Sequence, residues 1–231
     1  MPSLEKSFKC IKNVIFDMDG LLLDTEILYE KAYENIMNRY EMTFHKDYQM
    51  KILGCDTDTI NKFFVDELGL PCTYEEFQSQ KDAEMAALSP HCNFMPGAKK
   101  LVEHLHKKNI PIAVATSSGQ QSFDLKTQNH KEFFKLFNHI VLGSSDPEVK
   151  KGKPAPDIFL VCASRFPNKP KPEDCLVFED SPNGVQGAKA AGMQVVMVPD
   201  PNLDKEQTKD ATLVLKSLEE FKPEAFGLAS F

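Results

Sequence analysis

The stretch Val14-Ile15-Phe16-Asp17-Met18-Asp19-Gly20 joins a short apolar run to two carboxylates one residue apart and a glycine. β-Branched and aromatic residues suit a central parallel strand that is covered on both faces, so the run predicts a buried strand. Because side chains alternate along a strand, Asp17 and Asp19 are expected to point the same way at its carboxyl end, where ligands bind in open α/β sheets. Gly20 lets the chain turn away at once.

The two carboxylates repel each other unless a cation lies between them or one of them holds a proton. Oxygen ligands of this kind suit Mg2+, which keeps several waters and is often completed by substrate phosphate. Alternatively, one carboxylate acts as a nucleophile and the other as general acid and base. A polar turn or a calcium loop remains open, although Gly20 is the fourth residue from Asp17, whereas an EF-hand places its glycine sixth.

The composition is typical of a soluble globular protein and excludes several classes of function. The 231 residues are 42% hydrophobic and 26% charged, enough for a core domain with a smaller inserted one. The net charge of −7 argues against a nucleic-acid polymer as partner, since such proteins usually present a basic face. Only Arg39 and Arg165 are arginines, so phosphate would be bound by lysine, backbone amides, hydroxyls or metal.

Cysteine spacing and hydropathy predict a cytoplasmic protein. The six cysteines form no C-x-x-C pair, which favours reduced thiols over a zinc site or a disulfide framework. Charges at Glu5, Lys6, Lys9 and Lys12 interrupt the apolar stretch that a signal peptide needs. No run of transmembrane length is present, so we expect no membrane partner.

Strand-like and helix-like stretches alternate along most of the chain. After the first strand, the apolar runs are 112–115, 140–142, 176–178, 195–198 and 213–215. The helix-like stretches among them are 96–108, 120–137, 155–165 and 182–191. This alternation predicts an α/β fold with a doubly wound parallel sheet.

Between residues 24 and 94 the pattern becomes helical, with candidate helices at 25–40, 57–68 and 73–88. We interpret residues 24–94 as a small helical domain inserted into a core made of residues 1–23 and 95–231. An insertion after the first strand lies beside the carboxyl edge of the sheet, where it could act as a lid over the carboxylates. A longer helical excursion within a single domain is the alternative.

Polar residues also follow three later predicted strands or precede a helix. They are Thr116-Ser117-Ser118-Gly119, Lys153 between Gly152 and Pro154, and the pair Glu179-Asp180 followed by Ser181. Each has an ordinary structural explanation: a serine-rich turn, a solvated lysine and a helix cap. Their positions at the same edge of a parallel sheet would gather them beside Asp17 and Asp19.

This set of residues, in this order, resembles the haloacid dehalogenase-like superfamily of phosphohydrolases over nearly the whole chain. The matching features are D-x-D-G-x-L-x-D-T at residues 17–25, Thr116, Lys153, and Glu179-Asp180 followed by S-x-x-G. The resemblance implies a Rossmann-like core with a small helical cap between the first and second motifs. It also implies that Asp17 attacks phosphorus and forms an aspartyl phosphate, while Asp19 protonates the leaving group and then activates water.

The resemblance further implies a Mg2+ ion held by the Asp17 carboxylate, the Asp19 backbone carbonyl and Asp180, with Glu179 assisting directly or through water. The phosphoryl oxygens would be held by the following residues: Thr116, Ser117, Ser118 and Lys153. The second aspartate separates the chain from the family's dehalogenases and ion-pumping ATPases. A phosphomonoester hydrolase or a sugar phosphomutase remains, and a mutase would need basic residues in the cap, where Lys46, Lys51, Lys62 and Lys81 occur.

Within the superfamily, the chain resembles the animal pseudouridine 5'-phosphatases in the runs 130–134, 139–143, 146–149 and 190–200, and less so across 48–94. The resemblance implies that the substrate is pseudouridine 5'-phosphate or a similar small nucleotide or sugar phosphate. Sugar phosphates and glycerol phosphate stay open, as does a non-catalytic ligand-binding role. The expected partner is a small phosphorylated metabolite, and the expected state is a monomer or weak dimer.

Overall fold

A six-stranded parallel sheet forms the centre of the computed structural model, which describes residues 8–52, 55 and 57–231. Glu5 and Lys6 lie outside the described residues. The strands are β1 (Asn13–Phe16), β2 (Ile112–Thr116), β3 (His139–Leu142), β4 (Cys175–Glu179), β5 (Gln194–Met197) and β6 (Leu213–Val214). Every predicted strand is present with ends shifted by at most one residue, and the prediction of a doubly wound parallel sheet is confirmed.

The helices outside the insertion lie on the two faces of the sheet. They are α5 (Ala98–Lys107), α6 (Gln120–Thr127), α7 (Lys131–Phe134), α8 (Asp157–Ser164) and α9 (Pro182–Ala190). Short 3-10 helices span Ser89–His91, Pro172–Asp174, Lys205–Thr208, Leu218–Glu220 and Pro223–Phe226. The predicted helix at 120–137 is interrupted between α6 and α7. At that interruption, Asn129 and His130 bond to backbone carbonyls of Pro90 and Cys92 at 2.7 Å.

Alternation along the strands builds an apolar layer on each face of the sheet. Ile15 and Val177 pack in one cluster with residues of α8 and α9. Val14, Phe16 and Phe178 belong to the other cluster, which contains the apolar side of α5. The rings of Phe16 and Phe178 stack with their centroids 5.0 Å apart. These strand residues are fully buried, which holds the end of β1 in a fixed position.

Residues 24–94, which we call the helical insert, connect β1 to β2. The insert contains α1 (Glu26–Arg39), α2 (Lys46–Ile52), α3 (Thr57–Asn61), a π-helical segment (Lys62–Glu67) and α4 (Tyr74–Leu88). Helices α1 and α4 match the predicted positions, and the helix predicted at 57–68 divides where the π-helical segment begins. Helix α2 was missed because its short, largely polar sequence lacks apolar periodicity.

The helical insert has an apolar cluster of its own and also packs on the sheet. Tyr33, Phe64 and Phe77 stack at its centre, with Tyr33 and Phe64 centroids 4.7 Å apart and Phe64 and Phe77 centroids 4.8 Å apart. Leu28 and Met85 instead join the apolar cluster of the sheet. The insert is thus tied to the sheet through the inner ends of α1 and α4.

The order of the strands is β3-β2-β1-β4-β5-β6, so the connections reverse direction at β1. At such a reversal, the loops that follow neighbouring strands separate and leave a crevice for a ligand. The carboxyl ends of β1, β2 and β4 border this crevice, and the helical insert follows β1 beside it. Within the described ranges, no helix is both long and apolar enough to cross a membrane.

Candidate active site

The turn after β1 places two carboxylates in different surroundings. The backbone N–H of Asp17 donates to Phe178 O at 2.9 Å, which continues the strand pairing by one residue. Gly20 has a positive φ of 75°, and its N–H donates to Leu23 O at 2.9 Å. Strand β1 ends before Asp19, so strand alternation does not govern that residue. Asp17 and Asp19 therefore form hydrogen bonds with different partners, Lys153 for Asp17 and Lys126 for Asp19.

Three carboxylates lie together at the carboxyl ends of β1 and β4, and one ammonium group contacts two of them. Oxygens of Asp17, Glu179 and Asp180 all lie within 4.8 Å of one another. Lys153 Nζ lies 2.5 Å from Asp17 Oδ1 and 2.6 Å from Glu179 Oε1, and it donates to Ala115 O at 3.1 Å. The Lys153 side chain is 7% exposed, so this lysine is a buried counter-ion and not a solvated charge.

The acidic cluster carries more negative charge than Lys153 neutralises. Burial, together with the charges of Glu179 and Asp19, raises the pKa of Asp17 to about 7 against the opposing charge of Lys153. Burial, with the charges of Glu179 and Asp17, also raises the pKa of Asp180 well above its usual range. Such a cluster gains free energy by taking up a proton or a cation, and its all-oxygen donors suit a hard divalent ion such as Mg2+.

Asp19 has a separate set of partners. Its Oδ2 accepts hydrogen bonds from Thr116 Oγ1 at 3.2 Å and Ser118 Oγ at 2.9 Å. Its Oδ1 accepts from Lys126 Nζ at 2.6 Å. Burial alone would raise the pKa of Asp19. The charge of Lys126 and the hydrogen bonds from Lys126, Ser118 and Thr25 instead hold this pKa below its usual value. Asp17 thus favours its protonated form relative to an exposed carboxyl, whereas Asp19 favours its ionised form.

Two glycines make room for the carboxylates. A Cβ at Gly184 would lie 1.9 Å from Cδ of Glu179, and a Cβ at Gly20 would lie 2.3 Å from Asp180 Oδ2. Glu179 Oε2 also accepts from the N–H of Asp180 at 3.1 Å and from Ser181 Oγ at 3.2 Å. Gly184, the glycine of the S-x-x-G pattern, therefore leaves room for the fully buried side chain of Glu179. Ser181 caps α9 and also donates a hydrogen bond to Glu179.

This geometry agrees with the family comparison. The family model of the haloacid dehalogenase-like hydrolases matches residues 14–198, which include every carboxylate and lysine described above. The chain belongs to the haloacid dehalogenase-like hydrolase family. It is an enzyme of this hydrolase family, with a probable pseudouridine-5'-phosphatase of Drosophila melanogaster 52% identical to it over 98% of both chains.

Other relatives of this haloacid dehalogenase-like hydrolase differ in their named substrates. The (DL)-glycerol-3-phosphatase 1 of Arabidopsis thaliana is 50% identical over 96% of this chain and 75% of the relative. Among solved structures, a putative β-phosphoglucomutase from Thermotoga maritima superimposes with a TM-score of 0.75. It is 30% identical over 90% of this chain and 96% of the other. Relatives with such similar chains thus carry three different named activities.

The predicted phosphate-binding residues of this haloacid dehalogenase-like hydrolase have different hydrogen-bond partners and exposures. Thr116 and Ser118 direct their hydroxyls at Asp19, Lys153 bridges Asp17 and Glu179, and the side chain of Ser117 is exposed. Sequence reasoning missed Lys126, which is buried and bonded to Asp19. The only sequence signal for it was its position on the helix that follows the threonine motif, where a lysine is usually solvated.

Two residues of the helical insert interact electrostatically with this site, Glu26 with Asp19 and Lys81 with Lys126. Burial, followed by the charge of Asp19, raises the pKa of Glu26 to about 7. Lys81 is buried on the face of α4 that also carries Phe77 and Met85, and burial together with the charge of Lys126 lowers its pKa. The other three insert lysines considered above, Lys46, Lys51 and Lys62, are exposed.

Proposed function

We propose that this enzyme is a Mg2+-dependent phosphomonoesterase that forms an aspartyl phosphate on Asp17. The supporting observation is the separation of two carboxylates: buried Asp17 within the acidic cluster beside Lys153, and partly buried Asp19 bonded to Thr116, Ser118 and Lys126. Two carboxyl groups in different electrostatic environments can serve as nucleophile and as acid and base, because each favours a different protonation state.

Asp17 is proposed as the nucleophile because its backbone is fixed by β4 and its side chain is buried beside the cluster. An Asp17 oxygen attacks phosphorus, the P–O bond to the substrate alcohol breaks, and the electron pair leaves with the alcohol oxygen. Lys153 stabilises the negative charge that the phosphoryl oxygens carry in the transition state, together with the hydroxyl and amides of the Thr116 to Ser118 turn. Lys153 also holds Asp17 in place through its bond to Oδ1.

Asp19 is proposed as general acid and then general base. Because Lys126 keeps it ionised in the free enzyme, Asp19 must first receive a proton, which a phosphate monoanion of the substrate can supply. It then donates this proton to the departing alkoxide. In the second half-reaction it takes a proton from the water that attacks the aspartyl phosphate, which regenerates Asp17 and releases inorganic phosphate.

Asp17, Glu179 and Asp180 fit a divalent cation, since three carboxylates share one ammonium group and their oxygens lie within 4.8 Å. We propose that Asp17 and Asp180 hold Mg2+ with the Asp19 carbonyl, and that Glu179 contributes directly or through water. When bound, this ion supplies charge neutralisation for the phosphoryl group. We also propose that residues 24–94 form a cap domain over a core of residues 1–23 and 95–231.

Pseudouridine 5'-phosphate is the proposed substrate, with a similar small nucleotide or sugar phosphate as the alternative, acted on in the cytoplasm by a monomer or weak dimer. The named activities of the Drosophila and Arabidopsis relatives support a small alkyl phosphate. A sugar phosphomutase is a second candidate. It is favoured by Lys81, a buried cation to which no described residue is bonded, because a mutase needs a second group for a distal phosphate.

A phosphate-release assay with pseudouridine 5'-phosphate, glycerol 3-phosphate, glucose 6-phosphate and p-nitrophenyl phosphate tests this proposal. We expect release that requires Mg2+ and stops with a chelator, with kcat/KM for the preferred alkyl ester at least about tenfold above the others. Conversion of β-glucose 1-phosphate to glucose 6-phosphate with little free phosphate would instead establish the mutase. A folded protein that does neither would contradict the proposal and favour a ligand-binding role.

A further inference from the structure

Lys126 connects Asp19 to the helical insert. Its Nζ lies 2.6 Å from Asp19 Oδ1, 3.1 Å from Ser118 Oγ and 3.2 Å from the hydroxyl oxygen of Tyr29. These three partners come from three separate segments: the turn after β1, the turn after β2, and α1 of the insert. The ammonium group thus joins both sides of the crevice.

The surroundings of Lys126 leave its ammonium group little freedom to move. The side chain is only 3% exposed, and its three hydrogen bonds match the three donors of an ammonium group. The same Nζ lies 5.3 Å from the centroid of the Tyr29 ring, within the range of a cation–π contact. Because all three N–H groups of this buried ammonium are hydrogen-bonded, it restrains the position of the carboxylate that it contacts.

Each oxygen of Asp19 is held by a different group. Thr116 and Ser118 bind Oδ2 from one side, and Lys126 alone among these three binds Oδ1. Without Lys126, the hydroxyls would still bind Oδ2, but rotation of the carboxylate about its χ2 torsion would no longer be restricted at Oδ1. Proton transfer needs donor and acceptor at hydrogen-bond distance, so this rotation would misplace the acid.

We infer that Lys126 is a positioning residue for Asp19 and that Tyr29 makes this positioning depend on the helical insert. This inference rests on the proposed function. Tyr29 Oη accepts from Lys126 on one side, and its ring stacks toward Tyr33 at 6.3 Å on the other. The placement of α1 over the crevice therefore helps to set the orientation of the acid that the reaction requires.

Substrates with different leaving groups distinguish a positioning role of Lys126 from a general structural role. An alkoxide leaves only with a proton from Asp19, whereas p-nitrophenolate leaves readily without one. We expect Lys126→Met to lower kcat/KM for the alkyl ester that the wild-type enzyme prefers, which we propose is pseudouridine 5'-phosphate, by about tenfold or more. It should change kcat/KM for p-nitrophenyl phosphate by less than about threefold. Both constants report formation of the aspartyl phosphate, which is the step in which the leaving group departs.

Two further variants keep the test independent of folding defects. In an Asp19→Asn background, Lys126→Met should have no additional effect on the alkyl ester, because the residue acts only through Asp19. Tyr29→Phe removes one hydroxyl and should give a smaller loss, again confined to the alkyl ester. It serves as the main test if Lys126→Met does not fold. Lys131→Met, at an exposed position on α7, is the matched control.

Equal losses on both esters, or an undiminished effect in the Asp19→Asn background, would overturn the positioning role. Unchanged kinetics in Tyr29→Phe would overturn the link to the insert. If the wild-type enzyme releases phosphate from neither ester, the proposed function itself fails. If the wild-type enzyme cleaves both esters and Lys126→Met leaves the ratio of their kcat/KM values unchanged, only this inference fails.

Discussion

Asp17→Asn is expected to reduce Mg2+-dependent phosphate release by about 10^4-fold or more while the protein stays folded. The amide keeps the shape of the side chain but cannot form the acyl phosphate that water then hydrolyses. Because Asp17 is crowded by Glu179 and Asp19 and its pKa is raised by burial, removing its charge should not lower the free energy of unfolding. Initial rates with saturating substrate, together with thermal melting, measure both quantities.

Asp174→Asn is the matched control for this variant. Asp174 lies just before β4, at the end of the strand opposite the cluster, and forms an ion pair with exposed Lys12 at 3.2 Å. The same chemical change there should leave phosphate release within about twofold, since surface ion pairs contribute 0–1 kcal/mol. Turnover by Asp17→Asn at more than about a hundredth of the wild-type rate would remove Asp17 from the nucleophile's role.

Lys153→Met is expected to lower the free energy of unfolding by roughly 3–5 kcal/mol in the absence of metal. The methionine fills a similar volume but leaves Asp17 and Glu179 buried without a counter-ion. Loss of the ammonium group should also reduce phosphate release by about 10^2-fold or more, because we propose that this group stabilises the transferring phosphoryl group. Denaturant unfolding and initial rates provide the two measurements.

Added Mg2+ should stabilise Lys153→Met more than it stabilises the wild-type protein. In the variant, three carboxylates have no positive neighbour at the cluster, so a bound cation supplies a larger share of the neutralisation. Lys12→Met is the control, since its ammonium pairs with Asp174 in an exposed position. A variant that unfolds at the same denaturant concentration as wild type, with or without Mg2+, would show that Lys153 is not the counter-ion of the cluster.

Much of the fold could be predicted because it depends on local patterns. The strands that flank β1 are short apolar runs, and alternation with helices is sufficient to indicate a parallel sheet. The division of residues 57–68 into α3 and a π-helical segment could not be predicted, since both conformations place Phe63 and Phe64 in the insert's apolar cluster. The interruption at residues 128–130 depends on side-chain bonds to the distant carbonyls of Pro90 and Cys92.

Site residues that lie at the ends of strands could be predicted from the sequence, whereas the site residue on a helix could not. Asp17 and Glu179 could be placed because parallel strands bring their carboxyl ends to one edge. The isolated lysine at position 153 had no local signal of burial, and its role came from the family resemblance. Lys126 had none either, because its burial results from the approach of the helical insert, which carries Tyr29.

Transfer of phosphate to Asp17 is the step on which the proposed reaction depends. The most direct measurement is a rapid acid quench during turnover, followed by borohydride reduction and peptide mass spectrometry, since borohydride converts an acyl phosphate to the alcohol. We predict reduction of the side chain at position 17 to that of homoserine, dependent on substrate and Mg2+ and absent in Asp17→Asn. If substrate is turned over while Asp17 stays unmodified in every quenched sample and a different residue is reduced, phosphate is not transferred to Asp17.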